Sequence, residues 1–180
     1  MKKHVHIFGA SGAGTTTIAK IISKQLGYKH FDSDDYFWLQ TAKPFTVERE
    51  RTECMKMMDE DLSANDKWVL SGSIVNWGNI LIPYFDLVVF VYVPTEIRLE
   101  RLKKREHERY GQEILYGRSR YKESLEFLSW AAAYDEGTRN GRSLPKHEEW
   151  LKNISCSTLR INNIDLNVSV ETVLQAIISE

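Results

Sequence analysis

Apolar positions along this chain alternate between two rhythms. Residues 3–8, Lys3-His4-Val5-His6-Ile7-Phe8, are short, β-branched and aromatic, the composition of a strand. Ile18, Ile21, Ile22 and Leu26 then recur at helical spacing from Thr15 until Gly27, a helix stop. A short strand is expected over 28–31, and a helix over 47–62 carrying Val47, Cys54, Met55, Met58 and Leu62. Trp68-Val69-Leu70 reads as the next strand, ended by Ser71-Gly72-Ser73. Residues 87–93 are all apolar, the signature of a central parallel strand covered on both faces. Pro94 and Thr95 open a helix to 108, a second helical stretch covers 120–134, and 158–161 is a last strand. Val170, Val173, Leu174, Ile177 and Ile178 give the final helix its apolar face. The alternation predicts an α/β three-layer sandwich with a mostly parallel five-stranded sheet and right-handed crossovers. Ligands of such sheets bind beyond the carboxyl ends of the strands, which directs the search to the loops there.

The first of these loops is Gly9-Ala10-Ser11-Gly12-Ala13-Gly14-Thr15-Thr16. Gly9, Gly14 and Thr16 fall in register with the phosphate-cradling pattern G-x-x-x-x-G-K-[ST], while Thr15 stands at the lysine position. A strand before it and a helix after it are the context that the pattern requires. Glycine lets the backbone approach an anion, and the helix N-terminus adds partial positive charge. The N–H groups from Gly12 to Thr16 are placed to hold a β-phosphate, with Ser11, Ala13 and Thr17 completing the cradle, and the Thr16 hydroxyl is placed for magnesium. Thr15 leaves that cradle intact but removes a point charge from the β- and γ-phosphates. Comparable electrostatic donors are worth about 3–4 kcal/mol in a transition state.

Composition narrows the rest. The 180 residues, 42% hydrophobic and 27% charged, suit one soluble globular domain over 1–180. A formal net charge of −1 offers no general attraction to nucleic acid or to an anionic membrane. Cys54 and Cys156 form no C-x-x-C pair, and no His/Cys spacing suggests a structural metal. The most apolar stretch, 80–93, contains Pro83 and Asp86 and is too short to span a bilayer, and no targeting signal is evident, so the expected setting is cytoplasmic. Neither N-K-x-D nor a D-x-x-G switch is present, which argues against a GTPase; an apolar strand ending in Asp-Glu, as in a motor ATPase, is also missing.

Phe31-Asp32-Ser33-Asp34-Asp35 follows the second strand. A P-loop succeeded by a strand ending in Asp-x-Asp resembles the shikimate kinase and gluconate kinase branch of the P-loop kinases, a group that includes adenylate kinase. The resemblance implies a P-loop nucleoside triphosphate hydrolase fold with a short lid, using ATP and Mg2+. It gives Asp32 the magnesium-bound water and Asp34 the acceptor hydroxyl; a solvated acidic turn would share the same residues. Ser71-Gly72-Ser73 is similar in placement to the acceptor loop of these kinases, with Gly72 allowing close approach and Ser73 a hydroxyl, although it also reads as a plain turn. Arg98-Leu99-Glu100-Arg101-Leu102-Lys103-Lys104-Arg105 resembles their pre-lid helix, which implies that Arg101 stacks on adenine and Arg105 reaches phosphate. A charged solvent face is the commoner meaning of such a run, and Arg98, Lys103 and Lys104 fit it. Residues 110–121 would be the lid, with Gly111 and Gly117 as hinges and Arg118 and Arg120 as phosphate clamps. Asn163 lies where the related kinases contact adenine through the backbone.

Trp38 and Trp77 each follow an acceptor-side loop and are candidates to line a flat or apolar acceptor pocket; Trp68 and Trp150 fit a core or an interface. Residues 130–150 match no kinase motif. The expectation is a phosphotransferase moving the γ-phosphoryl of MgATP to a small molecule such as a nucleoside or nucleotide, with Arg105, Arg118 or Arg120 supplying the charge that Thr15 lacks. The competing expectation is a nucleotide-binding sensor or partner-binding module with little transferase activity.

Overall fold

The structure, a computed structural model, describes every residue except Arg139 and Glu180. Five strands, β1 (His4–Gly9), β2 (Lys29–Asp32), β3 (Trp68–Ser71), β4 (Leu87–Tyr92) and β5 (Ser157–Asn162), lie in the order β2-β3-β1-β4-β5. Every pairing is parallel, with β1 central and its Gly9 opposite Val91 of β4. After β1 the chain adds β2 and β3 on one side of it and then β4 and β5 on the other, so the end of β1 opens into the crevice where such sheets bind ligands.

Among the described residues the α-helices are α1 (Thr15–Leu26), α2 (Ser33–Phe37), α3 (Arg51–Ser63), α4 (Thr95–Tyr110), α5 (Tyr121–Ala132), α6 (Leu144–Leu151) and α7 (Leu166–Ile178). One face buries Val5, Ile7, Val89 and Val91 under Ile18 and Ile22 of α1 and Val173 and Ile177 of α7. The opposite face is aromatic: Phe8, Trp68, Phe85, Phe90 and Trp150 pack with Met58 and Leu62 of α3. Trp68 and Trp150 are thus core residues, as their sequence context suggests. None of the described helices is long and apolar enough to cross a membrane.

Three local differences from the sequence reading have physical causes. Helix α3 begins at Arg51 and not at 47, because residues 47–49 first run back beside 37–39. Leu39 N–H donates to Val47 O at 2.9 Å and Arg49 N–H to Phe37 O at 2.8 Å, and Glu50 then caps the helix by accepting from Glu53 N–H. The Asp-x-Asp stretch is the first turn of a helix, α2, whose N-cap Asp32 accepts from Asp34 N–H at 3.1 Å. Within residues 130–150 the chain forms α6, capped by the Ser143 hydroxyl with Pro145 in its first turn.

Candidate functional site

Backbone shape alone makes the loop between β1 and α1 receptive to an anion. Gly12 and Gly14 sit at φ +83° and +89°, where a side chain would be strained. A Cβ at Gly9 would strike the Val91 carbonyl, and one at Gly12 would come within 2.8 Å of Arg98 O. Gly14 is the N-cap of α1 with no side-chain partner for the helix N–H groups, and no acidic residue occupies the first turn. The first N–H groups of this twelve-residue helix are therefore free of a side-chain cap, in the arrangement that suits a phosphate. Thr15 is the first residue of the helix.

Two side chains brace this loop from below. Asn163, 2% exposed, donates Nδ2 to Ala13 O at 2.8 Å, and Arg101 donates Nη2 to Asn163 O at 2.9 Å. Asn163 thus acts through its side chain on the cradle, and the same contact holds Arg101 beside the loop. Arg98, wholly buried, donates to Val93 O at 3.0 Å, to Ala131 O at 3.1 Å and to Ser11 O at 3.5 Å. It also donates to Thr95 Oγ1 and pairs with Asp135 at 3.4 Å, with its guanidinium 5.0 Å over the Tyr134 ring. The sequence reading of Arg98 as part of a solvated face is therefore corrected: it is a structural tie between the loop, α4 and the turn after α5.

At the mouth of the loop, Thr16 Oγ1 donates to Asp32 Oδ2 at 2.8 Å, and Ser71 Oγ donates to the same oxygen at 3.1 Å. His30 Nε2 lies 2.9 Å from Ser71 Oγ, so Ser71, together with a histidine that the sequence reading did not single out, orients the carboxylate. A hydroxyl and a carboxylate side by side are hard oxygen donors of the kind magnesium takes, along with phosphate oxygens and water. Among the described residues no group of three His, Cys, Asp or Glu could hold a metal without such help. The two residues fit Mg2+ bound in company with a nucleotide.

Asp34 stands two residues further on, in the first turn of α2. Burial pushes its carboxyl above the ordinary range, against the pull of Arg142 and, more weakly, of Arg105. Gly72 lies close by at φ +91°, where a Cβ would collide with Ser33 Oγ and come within 3.4 Å of Asp32 Oδ1. Ser73 is buried, and its hydroxyl lies 3.1 Å from Nε2 of His147 on α6, whose Nδ1 lies 2.8 Å from the Tyr134 hydroxyl. Trp38 and Trp77 both flank the Phe37 ring, at 4.8 and 5.5 Å, and Trp77 Nε1 donates to Ser73 O. The half-buried rings of Phe37, Trp38 and Trp77 form one aromatic wall.

The lid candidates are less uniform. Residues 110–121 contain a 3-10 turn at Gly111–Ile114 and then an exposed turn. Arg118 is exposed, whereas Arg120 pairs with Glu123 at 3.2 Å and stacks 3.9 Å over the Tyr110 ring. Arg105 is partly buried, its Nε has no hydrogen-bond partner, and burial with Arg109 nearby lowers its pKa from the usual guanidinium value. Of the three arginines, Arg105 alone is linked electrostatically to Asp34. Arg142, which no motif marked, joins it there.

Comparison with known proteins gives the chain's family and fold. The model of the AAA domain family matches residues 5–126, from β1 into α5. The chain is 47% identical over 175 residues, 97% of each chain, to a protein of Bacillus subtilis (strain 168) described as "Uncharacterized protein YqaC". It is 32% identical over 113 residues to cytidylate kinase of Archaeoglobus fulgidus, a match spanning 57% of this chain and 61% of that enzyme. Among solved structures, shikimate kinase from Acinetobacter baumannii in complex with shikimate superposes with a TM-score of 0.56 at 18% identity, covering 98% of this chain and 93% of that one. Deoxyadenosine kinase from M. mycoides with bound dATP also gives a TM-score of 0.56 at 18% identity, covering 98% and 100%. The chain belongs to the AAA domain family and has the fold of the P-loop small-molecule kinases.

Proposed function

We propose that this protein is an ATP-dependent phosphotransferase that moves the γ-phosphoryl group of MgATP to a hydroxyl or phosphate oxygen of a small molecule. The observation that carries the reading is the union of two halves: Thr16 of the nucleotide loop is hydrogen-bonded to Asp32, the cap of the short helix that carries Asp34. The N–H groups from Gly12 to Thr16 hold the β-phosphate, while Gly9, Ser11, Ala13 and Thr17 shape the cradle. Arg101 and the turn at Asn163 border the nucleotide. Thr16 and Asp32 would hold magnesium, which when bound offsets charge on the phosphates.

A hydroxyl acceptor donates its proton to Asp34 as its oxygen attacks the γ-phosphorus. The bond from that phosphorus to the β–γ bridging oxygen breaks, and ADP leaves with the electron pair. Asp34, with its raised pKa, is a stronger base than an ordinary aspartate. Gly72 admits the acceptor close to the backbone, Ser73 holds the loop through His147, and Trp38 and Trp77 wall the acceptor. Arg105 supplies the positive charge that Thr15 does not, with Arg118 and Arg120 arriving from the lid.

Thr15 itself favours a second reading, a nucleotide-binding sensor in which transfer has been lost. ADP release from MgATP, measured across nucleosides, nucleotides, sugars and hydroxy acids, separates the two. Stimulation by one acceptor class supports the transferase. Tight MgATP binding with no acceptor raising turnover supports the sensor.

A further inference from the structure

The register of β2 against β3 sets Asp32 directly opposite Ser71, and His30 lies two residues before Asp32. Strand side chains alternate between the two faces of a sheet. His30, Asp32 and Ser71 therefore share the face that α1 covers, with Val69, while Phe31 and Leu70 turn to the aromatic core. Thr16, in the first turn of α1, completes a row of four side chains. His30 Nε2 lies 2.9 Å from Ser71 Oγ, Ser71 Oγ 3.1 Å from Asp32 Oδ2, and Thr16 Oγ1 2.8 Å from the same carboxylate oxygen.

The protons available fix the direction of this row. Ser71 is wholly buried and has one hydroxyl proton, with two backbone or carboxylate acceptors in reach: Asp32 Oδ2 and, at 3.4 Å, the Phe31 carbonyl. Were that proton turned to His30, the serine oxygen and the carboxylate would face each other at 3.1 Å with no hydrogen between them. The imidazole therefore carries a proton on Nε2 and donates it to Ser71 Oγ. This bond occupies one lone pair of the serine and turns its hydroxyl toward Asp32. With Asp34 N–H on Oδ1, Asp32 accepts three hydrogen bonds, close to the roughly four that a carboxylate can take. Oδ2 is filled by Ser71 and Thr16 together. The Thr16 proton is engaged there too, which leaves the lone pairs of that hydroxyl for a cation.

We propose that His30 is a positioning residue for magnesium: acting through Ser71, it fixes Asp32 so that the Thr16 hydroxyl presents its oxygen, not its proton, to the ion. Thr16 and Asp32 remain the residues that hold the ion, and His30 acts on them from behind. Groups that orient metal ligands in this way govern affinity by about 10–100-fold. The proposal rests on the reading of Thr16 and Asp32 as the magnesium pair, and does not depend on transfer of phosphate to any acceptor.

The test is the Kd of a non-hydrolysable ATP analogue for the full chain, measured by calorimetry in excess Mg2+ and again in excess EDTA. The ratio of the two values is the gain due to magnesium. His30→Leu and Ser71→Ala should each reduce that ratio by about tenfold while leaving the Kd in EDTA unchanged. His30→Gln, which keeps an N–H donor, should recover part of the loss. The double variant His30→Leu/Ser71→Ala should be no worse than Ser71→Ala alone, since the histidine acts through the serine. An unchanged ratio in His30→Leu, losses that add in the double variant, or no recovery by His30→Gln overturns the proposal. So does a Kd in EDTA that weakens by the same factor, the mark of a merely structural role. A magnesium gain indifferent to His30 would leave the magnesium pair standing and this proposal fallen. No magnesium gain in the natural chain would overturn both.

Discussion

The nucleotide side and the acceptor side of this site are built by different means. Around the P-loop, the contacts end on the backbone: Asn163 on Ala13 O, Arg98 on Ser11, Val93 and Ala131 carbonyls, and glycine positions closed to any side chain by Val91 and Arg98. Around Asp34, charges rest on aromatic faces and reach one another only through long side chains. The first kind of construction fixes a shape that any triphosphate shares. The second leaves cations with capacity to spare, which suits a group that must select among acceptors and release them.

Replacing Arg98 is the strongest way to break this contrast. Arg98→Ala would leave three carbonyls and Asp135 without their buried partner, at an expected cost of about 3–5 kcal/mol. A urea titration reads this as a large fall in the midpoint. A loss below about 1 kcal/mol would mean that the loop is not held from beneath.

Acid probes the acceptor side, where His147 supports Ser73, together with the core beneath β1. Burial lowers both His6 and His147 from the usual imidazole value to about 3. Each is neutral in the folded chain and takes a proton on unfolding below its unfolded value of about 6.5, so their contribution is complete above that pH. Between there and pH 3, stability should fall by on the order of 1 kcal/mol per pH unit for each histidine. His147→Gln should remove about half of that slope in denaturation curves taken across this range. An unchanged slope would show that His147 does not couple the acceptor loop to acid.

The smallest expected effect is that of Thr15→Lys. With Arg105 already placed by Asp34, the added lysine should alter acceptor-dependent ADP release by less than about tenfold. A rise approaching a hundredfold, the scale of one missing electrostatic donor, would show that the nucleotide side is starved of charge.

The same division explains what could be read from the sequence. Helix α1, its glycine boundaries and the seven-residue apolar run 87–93 that contains β4 follow from local pattern, and with them the cradle and its place at the end of β1. The Asp32 position was also legible, since it depends on a short loop after a strand. Helix α2 was not, because five residues are too few for a periodic signal. Helix α6 was not read either, because its eight residues follow the polar run 135–142 and Ser143 gains meaning as a cap only once the helix is seen. Arg98 and Arg105 are indistinguishable in the sequence of α4. Only tertiary packing makes one a buried tie and leaves the other unpaired over Phe127. Arg142 carries no local sign at all, since its place depends on the aromatic surface of another helix.

The central claim, that Asp34 joins a nucleotide site to an acceptor site, is tested most directly by one comparison. Acceptor-stimulated ADP release at saturating MgATP is measured for the natural chain and for Asp34→Asn, alongside MgATP affinity. The account predicts stimulation by an acceptor in the natural chain, a loss of about 10²–10⁴-fold in the variant, and unchanged MgATP binding. MgATP binding without stimulation by any acceptor, or an Asp34→Asn chain as active as the natural one, would contradict it.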